Sequence, residues 1–468
     1  MTALGAVLMS LAAVGVILRR RVLVAVALGV AAGVPSSAGI VVVQPVPIFA
    51  CVGAVAGVAL FLRPVSDGRP RALSLLSAFL AWSLVWTALA PWVFAGVPVL
   101  TPRGGVERQL SALTPLDYTT TNFAQAVILL AAVCATAFLL RSGTAQLALA
   151  VAAWVGITTS LVRVGLRQIG LDVLAPVLDT LQTYYANTDS RWRGVFNEPS
   201  ELAAFATGAT VYAVVRAARS DRPGERLAHG ALASGGATLL LGSASGTALV
   251  AAAIILGIAS VLLLARFVTS GGRGAPWIVA SVIVAAIAGL LFGDVLVEPT
   301  VDLLQAKIGS KSHTARSGAD AVGLDVLWST HGFGAGLGGN RSSSFIVTLL
   351  STVGVIGTSL FAWVLASAVR SGSRVPTALP AVAALLAIVV AKAVAVPDLG
   401  TPLLWLLLSA STTTALVRSR SVGSIPCDGV EWAGPGSGTS PSRTSRATPS
   451  TSPAWSPTHP RPSRPSRP

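Results

Sequence analysis

The sequence predicts an all-α, polytopic membrane protein, and three observations predict it. Hydrophobic residues make up 53% of the 468 positions, charged residues only 11%, and mean hydropathy is +0.74. A soluble domain carries about 25% charged residues, so too little charge is present to cover a soluble particle of this size. The apolar residues fall into runs near the roughly 20-residue length that crosses a bilayer. Basic residues concentrate in alternate connections between those runs. Together these exclude an ordinary cytosolic enzyme, a disordered chain and a nucleic-acid-binding module. The net charge of +15 and the pI of 11.2 alone would point to nucleic acid.

The runs lie near 2–18, 22–43, 46–62, 72–99, 123–140, 145–166, 201–217, 228–241, 247–265, 277–293, 345–369, 377–396 and 400–417. The expectation is therefore 12–13 transmembrane helices, the lower count applying if the short run 228–241 is re-entrant. Residues 1–18 do not read as a cleaved signal peptide, because no basic stretch precedes them and Arg19, Arg20 and Arg21 follow. Arg63, Arg69, Arg71, Arg141, Arg216, Arg219, Arg266, Arg370 and Arg418 fall on the same side as that triplet. By the positive-inside rule this side is cytoplasmic, which places the N-terminus outside and the C-terminus inside a cytoplasmic membrane.

Residues 1–420 form the polytopic domain on this reading. Residues 421–468 are rich in Ser, Pro and Arg and read as a disordered cytoplasmic tail that cannot bury a core. Cys51 and Cys134 sit in apolar runs and Cys427 in the tail, which supports neither a disulfide framework nor a zinc site.

Polar length concentrates on the external side, in segments 100–122, 167–200 and 294–344, so recognition or chemistry is expected there. In the second segment, Leu171 to Tyr185 reads as an amphipathic helix lying on the membrane. It leads to Arg191-Trp-Arg-Gly-Val-Phe-Asn-Glu-Pro-Ser200, with Glu198 placed to complement the dipole of the next helix. In the third segment Lys307, Lys311, His313 and Arg316 cluster, and His331-Gly-Phe-Gly-Ala-Gly-Leu-Gly-Gly-Asn340 precedes Arg341. Gly334, Gly336 and Gly339 spell G-x-G-x-x-G, but no βαβ unit surrounds them. A flexible loop whose backbone approaches a ligand or another helix is the better reading. Arg191, Arg193, Lys307, Lys311, Arg316 and Arg341 flank membrane-entry points in only two loops. Arginine binds phosphate bidentately and stays charged, so the cluster suits a diphosphate head group.

The run Arg191 to Ser200 resembles the Arg-x-Gly-x-Phe segment of the O-antigen ligase and polymerase superfamily. Leu239-Leu-Leu-Gly-Ser-Ala-Ser-Gly246 is similar to a second segment of that family, without its Arg. Ser312, Arg316, Trp328 and Gly334 to Gly338 are similar to its large external loop, and Leu349 to Gly357 to the helix after it. The resemblance covers about 190–360. It implies a GT-C-like glycosyltransferase that polymerises or transfers glycans carried on a polyprenyl diphosphate, such as undecaprenyl diphosphate, on the outer face. It implies no cofactor and no metal. The partners would be the lipid-linked oligosaccharide, membrane lipids and a chain-length regulator, and no nucleic acid.

The family's external arginines would map onto Arg191 or Arg193 and onto Arg316, and the cation cluster adds Arg341 to the expected diphosphate site. Ligases of the family carry a His-Asn pair where Ser343 and Ser344 stand here, which favours surface-polysaccharide polymerisation over lipopolysaccharide ligation. Glu198 is then the candidate base and Arg316 the catalytic cation, with His313, His331 and Lys311 behind them. Two other readings remain. A transporter or lipid flippase would use Lys392, an ionisable residue inside an apolar run that Asp398 could pair with if the chain bends at Pro397. A non-catalytic component of a polysaccharide assembly is the other.

Overall fold

The computed structural model describes residues 1–41, 44–62, 71–102, 108–181, 191–244, 311–394 and 396–422, together with Ile255. Lys307, the runs 247–265 and 277–293, and the tail lie outside the described residues. The molecule is mostly helical, as a membrane protein of this composition requires, because lipid leaves no water to satisfy an open backbone. The helices are α1 (Ala3–Ile17), α2 (Arg21–Gly33), α3 (Ile48–Leu62), α4 (Arg71–Val93), α5 (Thr120–Ser142), α6 (Ala145–Gln168), α7 (Ala175–Leu178), α8 (Pro199–Arg219), α9 (Pro223–Gly242), α10 (Lys311–Ser329), α11 (Phe345–Gly372), α12 (Leu379–Val394) and α13 (Pro402–Val422). Among the described residues, four stretches are long and apolar enough to cross a membrane: Ala72–Val93, Thr120–Ser142, Ala145–Gln168 and Phe345–Gly372. Shorter apolar helices, α1, α2, α3, α12 and the first part of α13, pack among them.

The core is built on close helix approach. Gly29 and Gly33 on α2 face Ala148, Val151 and Gly156 on α6, and a Cβ at Gly29 would press on the carbonyl of Ala148. Small residues at an interface bring two backbones together where lipid offers no hydrophobic drive for association. Ala25, Ala32, Ala152 and Ala153 are fully buried along the same seam.

Two apolar runs are interrupted. The run 22–43 stops being helical at Gly33, because Pro35 disfavours helix at the residue before it and offers no N–H. Ser36 and Ser37 follow, and Ala38–Val41 pairs as strand β1 with β2 (Pro45–Pro47). The run 72–99 ends as helix at Val93, and Pro98–Pro102 pairs antiparallel with Arg108–Ala112 as β3 and β4. The fold is therefore helical with two small hairpins, where the sequence predicts helices alone. Both hairpins follow proline or glycine punctuation that a count of apolar residues passes over. The run 228–241, the candidate re-entrant piece, is part of one continuous helix, Pro223–Gly242.

Candidate functional site

The amphipathic helix expected over 171–185 is largely absent. Among the described residues it shrinks to the four residues Ala175–Leu178. Serine hydroxyls take the freed carbonyl of Leu178: Ser36 Oγ donates to it at 3.1 Å and Ser37 Oγ at 3.0 Å. The residues on either side of this short helix, Asp172 and Asp179, turn toward a buried arginine of α6. Arg163 is 1% exposed. Its Nε meets Asp172 Oδ1 at 3.2 Å, and its Nη1 meets Asp179 Oδ1 at 2.8 Å and the Gly194 carbonyl at 3.0 Å.

Arg193 completes the network. Its Nη1 donates to Asp179 Oδ1 at 3.1 Å and to the Phe196 carbonyl at 3.2 Å, and its Nη2 donates to Asp179 Oδ2. Burial pushes the Asp179 carboxyl up, but the hydrogen bonds and charges of Arg163 and Arg193 outweigh it and hold it below the usual carboxylate range. Arg167 also reaches Asp172 at 3.5 Å, so three cations share two anions, and Arg193, paired with Asp179 inside the chain, is 8% exposed. The sequence reading gave this arginine to a diphosphate. The geometry makes it a strut that fixes the 191–198 segment.

That segment docks on neighbouring elements through its other residues. Gly194 has φ +54, and a Cβ there would collide with the Ser160 hydroxyl. The Trp192 N–H donates to the Gly242 carbonyl at 3.0 Å, and a Cβ at Gly242 would overlap the indole. Two separate stretches singled out in the sequence, around Trp192 and around Gly242, thus touch directly. Arg191 stands at the start of this segment, half-buried.

Glu198 is exposed at the N-cap of α8, and its side chain makes no capping bond to the helix backbone. Its Oε2 accepts from the Ser200 hydroxyl at 3.0 Å. The carboxylate that does meet the backbone at this end is Glu201, which accepts from the Asn197 N–H at 3.3 Å. Glu201 also lies within electrostatic reach of Glu198, Asp398 and Lys392. Three carboxylates and one ammonium therefore gather where α8 begins and the chain turns from α12 to α13. Lys392 is fully buried. It donates to the carbonyls of Val396 and Asp398 at 2.9 and 2.8 Å and to Thr401 Oγ1 at 2.7 Å, and lies 4.8 Å from the Phe345 ring centroid. The expected pairing with Asp398 exists, but through its backbone carbonyl, and the chain does bend there.

The glycine-rich loop is held differently. α11 is broken at Gly354 (φ 70, ψ −173), about 13 Å along the helix from Phe345 at 1.5 Å per residue. The loop occupies the break. The N–H groups of Ala335 and Gly336 donate to the carbonyls of Ser351 and Thr352, both at 2.8 Å, and Val355 N–H returns a bond to Gly332 at 2.8 Å. Trp86 Nε1 donates to the Gly334 carbonyl and Trp82 Nε1 to that of Val353, each at 2.9 Å. Leu337 N–H reaches Thr87 Oγ1 at 2.9 Å, and Asn122 Nδ2 reaches the Leu337 carbonyl at 2.7 Å. Gly334, Gly336 and Gly338 all have positive φ with backbone of another element in contact. The loop is a packed seam between helices, the second of the two possibilities its composition left open.

The remaining candidates lie on α10 and on either side of this loop. His331 stands two residues past the end of α10 with φ 50, is exposed, and meets Phe94 edge-on at 6.3 Å. Arg316 is exposed on α10. Arg341 is partly buried, its N–H donates to the Leu100 carbonyl of β3 at 3.0 Å, and its Nε is buried without a hydrogen-bond partner. Lys311 and His313 lie on the first turn of α10, and their side chains fall outside the described residues. Asp320 Oδ1 accepts from the N–H groups of Ser343 and Ser344 at 2.6 and 3.0 Å and holds the approach to α11, whose cap is the Ser344 hydroxyl accepting from the Val347 N–H at 3.4 Å.

The cations thus spread out: Arg191 and Arg193 stand beside α6 and α8, Arg341 at the end of the glycine seam, and Arg316 early on α10, about 20 Å along that helix from the seam. Sequence reasoning missed Arg163, Asp179 and Glu201. The signal for the first was present, an arginine inside an apolar helix with two aspartates in the following connection. No protein-family model and no curated protein sequence matches this chain.

Proposed function

We propose that the chain polymerises or transfers glycan units carried on a polyprenyl diphosphate, with a GT-C-like arrangement and its site on the outer face of the cytoplasmic membrane. The observation that carries this reading is the docking of the Arg191–Ser200 segment on the end of α9, which leaves Glu198 exposed at a helix start. In the reaction an acceptor hydroxyl attacks the anomeric carbon of the donor. The new C–O bond forms as the bond to the lipid diphosphate breaks. Glu198 takes the hydroxyl proton, and arginines stabilise the charge that collects on the departing diphosphate. With Arg193 paired to Asp179, that task falls to Arg191, Arg316 and Arg341. Such a reaction draws its energy from the lipid-linked donor.

The test is transfer by the purified chain in liposomes supplied with a polyprenyl-diphosphate oligosaccharide, comparing the native protein with Arg191→Ala and Arg316→Ala. Product should fall at least about 100-fold in each. Native product levels from both variants would refute the reading. Reporter fusions fix the sidedness: fusions at Thr180 and Asp320 should report outside, and those at Ser220 and Gly372 inside.

The broken α11 and buried Lys392 are features a transporter would use. Here the groups freed at the break are bonded by the glycine loop and Lys392 has its acceptors, so neither presents an open ligand position.

A further inference from the structure

At the opposite end of the described helices from α8's first turn, the turn between α1 and α2, the end of α3 and the end of α5 enclose a cleft of about 500 Å³ including its open mouth. Arg19, Arg21 and Arg141 line it, with Ser142, and no carboxylate does among the described residues. Its walls are apolar: Val16, Val24, Leu60 and Phe138. Arg19 is held at φ 58, a left-handed conformation that a non-glycine residue adopts at a cost. Arg141 stands in the last turn of α5, where the helix dipole already favours a cation.

We propose that this cleft binds the phosphate of an anionic phospholipid. Three guanidiniums lining one cleft, with no carboxylate among its described lining residues, repel one another, and a phosphate oxygen set relieves that by charge-assisted hydrogen bonds. The positive-inside rule accounts for arginines near the membrane surface, but it asks nothing of their convergence on one cleft. The apolar walls select the source. Free phosphate has no use for Val24, Leu60 and Phe138, whereas a phospholipid lays its acyl chain along them and its phosphate at the arginines.

The experiment uses the full chain reconstituted in phosphatidylcholine nanodiscs and titrated with phosphatidylglycerol, with inorganic phosphate as a second titrant, read by native mass spectrometry and by the thermal midpoint. Phosphatidylglycerol should bind and raise the midpoint, and its affinity should fall about fivefold for each of Arg19→Gln, Arg21→Gln and Arg141→Gln. Arg370→Gln and Arg374→Gln, cationic changes at a different turn, should leave it unchanged. Because glutamine keeps a flexible, polar side chain without the charge, the variants should fold, and their midpoint in pure phosphatidylcholine checks that they do. Equal phosphatidylglycerol affinity in native and triple-variant protein would overturn the proposal. So would an equal loss in the Arg370 and Arg374 variants, or protection by millimolar inorganic phosphate as great as by the lipid.

Discussion

The connection over 171–201 and the glycine seam over 330–344 lie in two of the polar stretches of the chain and are stabilised by different physics. The first is fixed by formal charge: Arg163 and Arg193 clasp Asp179, with Asp172 beside it. The second carries no ion pair among its described loop residues 332–340 and is fixed by backbone N–H and carbonyl groups that repair a broken helix. The lesson is that a cation in a polar connection and a glycine-rich loop are both ambiguous in sequence. Each has a structural use here that competes with the ligand-binding one, and the partner decides.

The comparison can be broken by removing one member of each region. Asp179→Asn should be the costliest change, because it leaves two arginines facing each other in a buried place. About 3–5 kcal/mol of stability should be lost, read as a lowered thermal midpoint in detergent. Gly336→Ala should come next. Its φ of +84 is a left-handed conformation, and the added methyl meets the Thr87 backbone, so about 2–3 kcal/mol should be lost by the same measurement. Ser344→Ala removes the N-cap of α11, whose hydroxyl accepts from the Val347 N–H, and should cost about 1 kcal/mol.

Acid sharpens the contrast. The Asp179 carboxyl is held below its ordinary value in the folded chain, so its contribution is complete above the ordinary carboxylate range. It is lost as pH falls through that lowered value. Proteolysis of the 171–201 connection should therefore rise on acidification below about pH 4 while the glycine seam stays protected. Equal loss of protection in both would show that charge is not what distinguishes them.

Helix positions were legible where a run was uninterrupted. Thr120–Ser142, Ala145–Gln168 and Phe345–Gly372 follow the apolar runs 123–140, 145–166 and 345–369 to within a few residues. The runs that contained Pro35 or led into Pro98 were over-extended, because a strand of the same apolar composition is invisible to a count of hydrophobic residues. The site was legible in part. Glu198 and the Arg191 segment could be picked out by their position before a helix. That Arg193 answers to Asp179 depends on a contact across fourteen residues and a helix that unwinds, which periodicity does not encode. The role of the glycines depended on α11 breaking at Gly354, and nothing in Leu349 to Gly357 marks which glycine yields.

The central claim is that Glu198 serves chemistry while Asp179, on the same connection, serves structure. The decisive measurement applies the same carboxylate-to-amide change to both and reads thermal midpoint and glycan transfer together. Asp179→Asn should lower the midpoint and, with it, the product. Glu198→Gln should keep the native midpoint and lose about 100-fold or more of transfer. Full transfer by Glu198→Gln at a native midpoint would contradict the account.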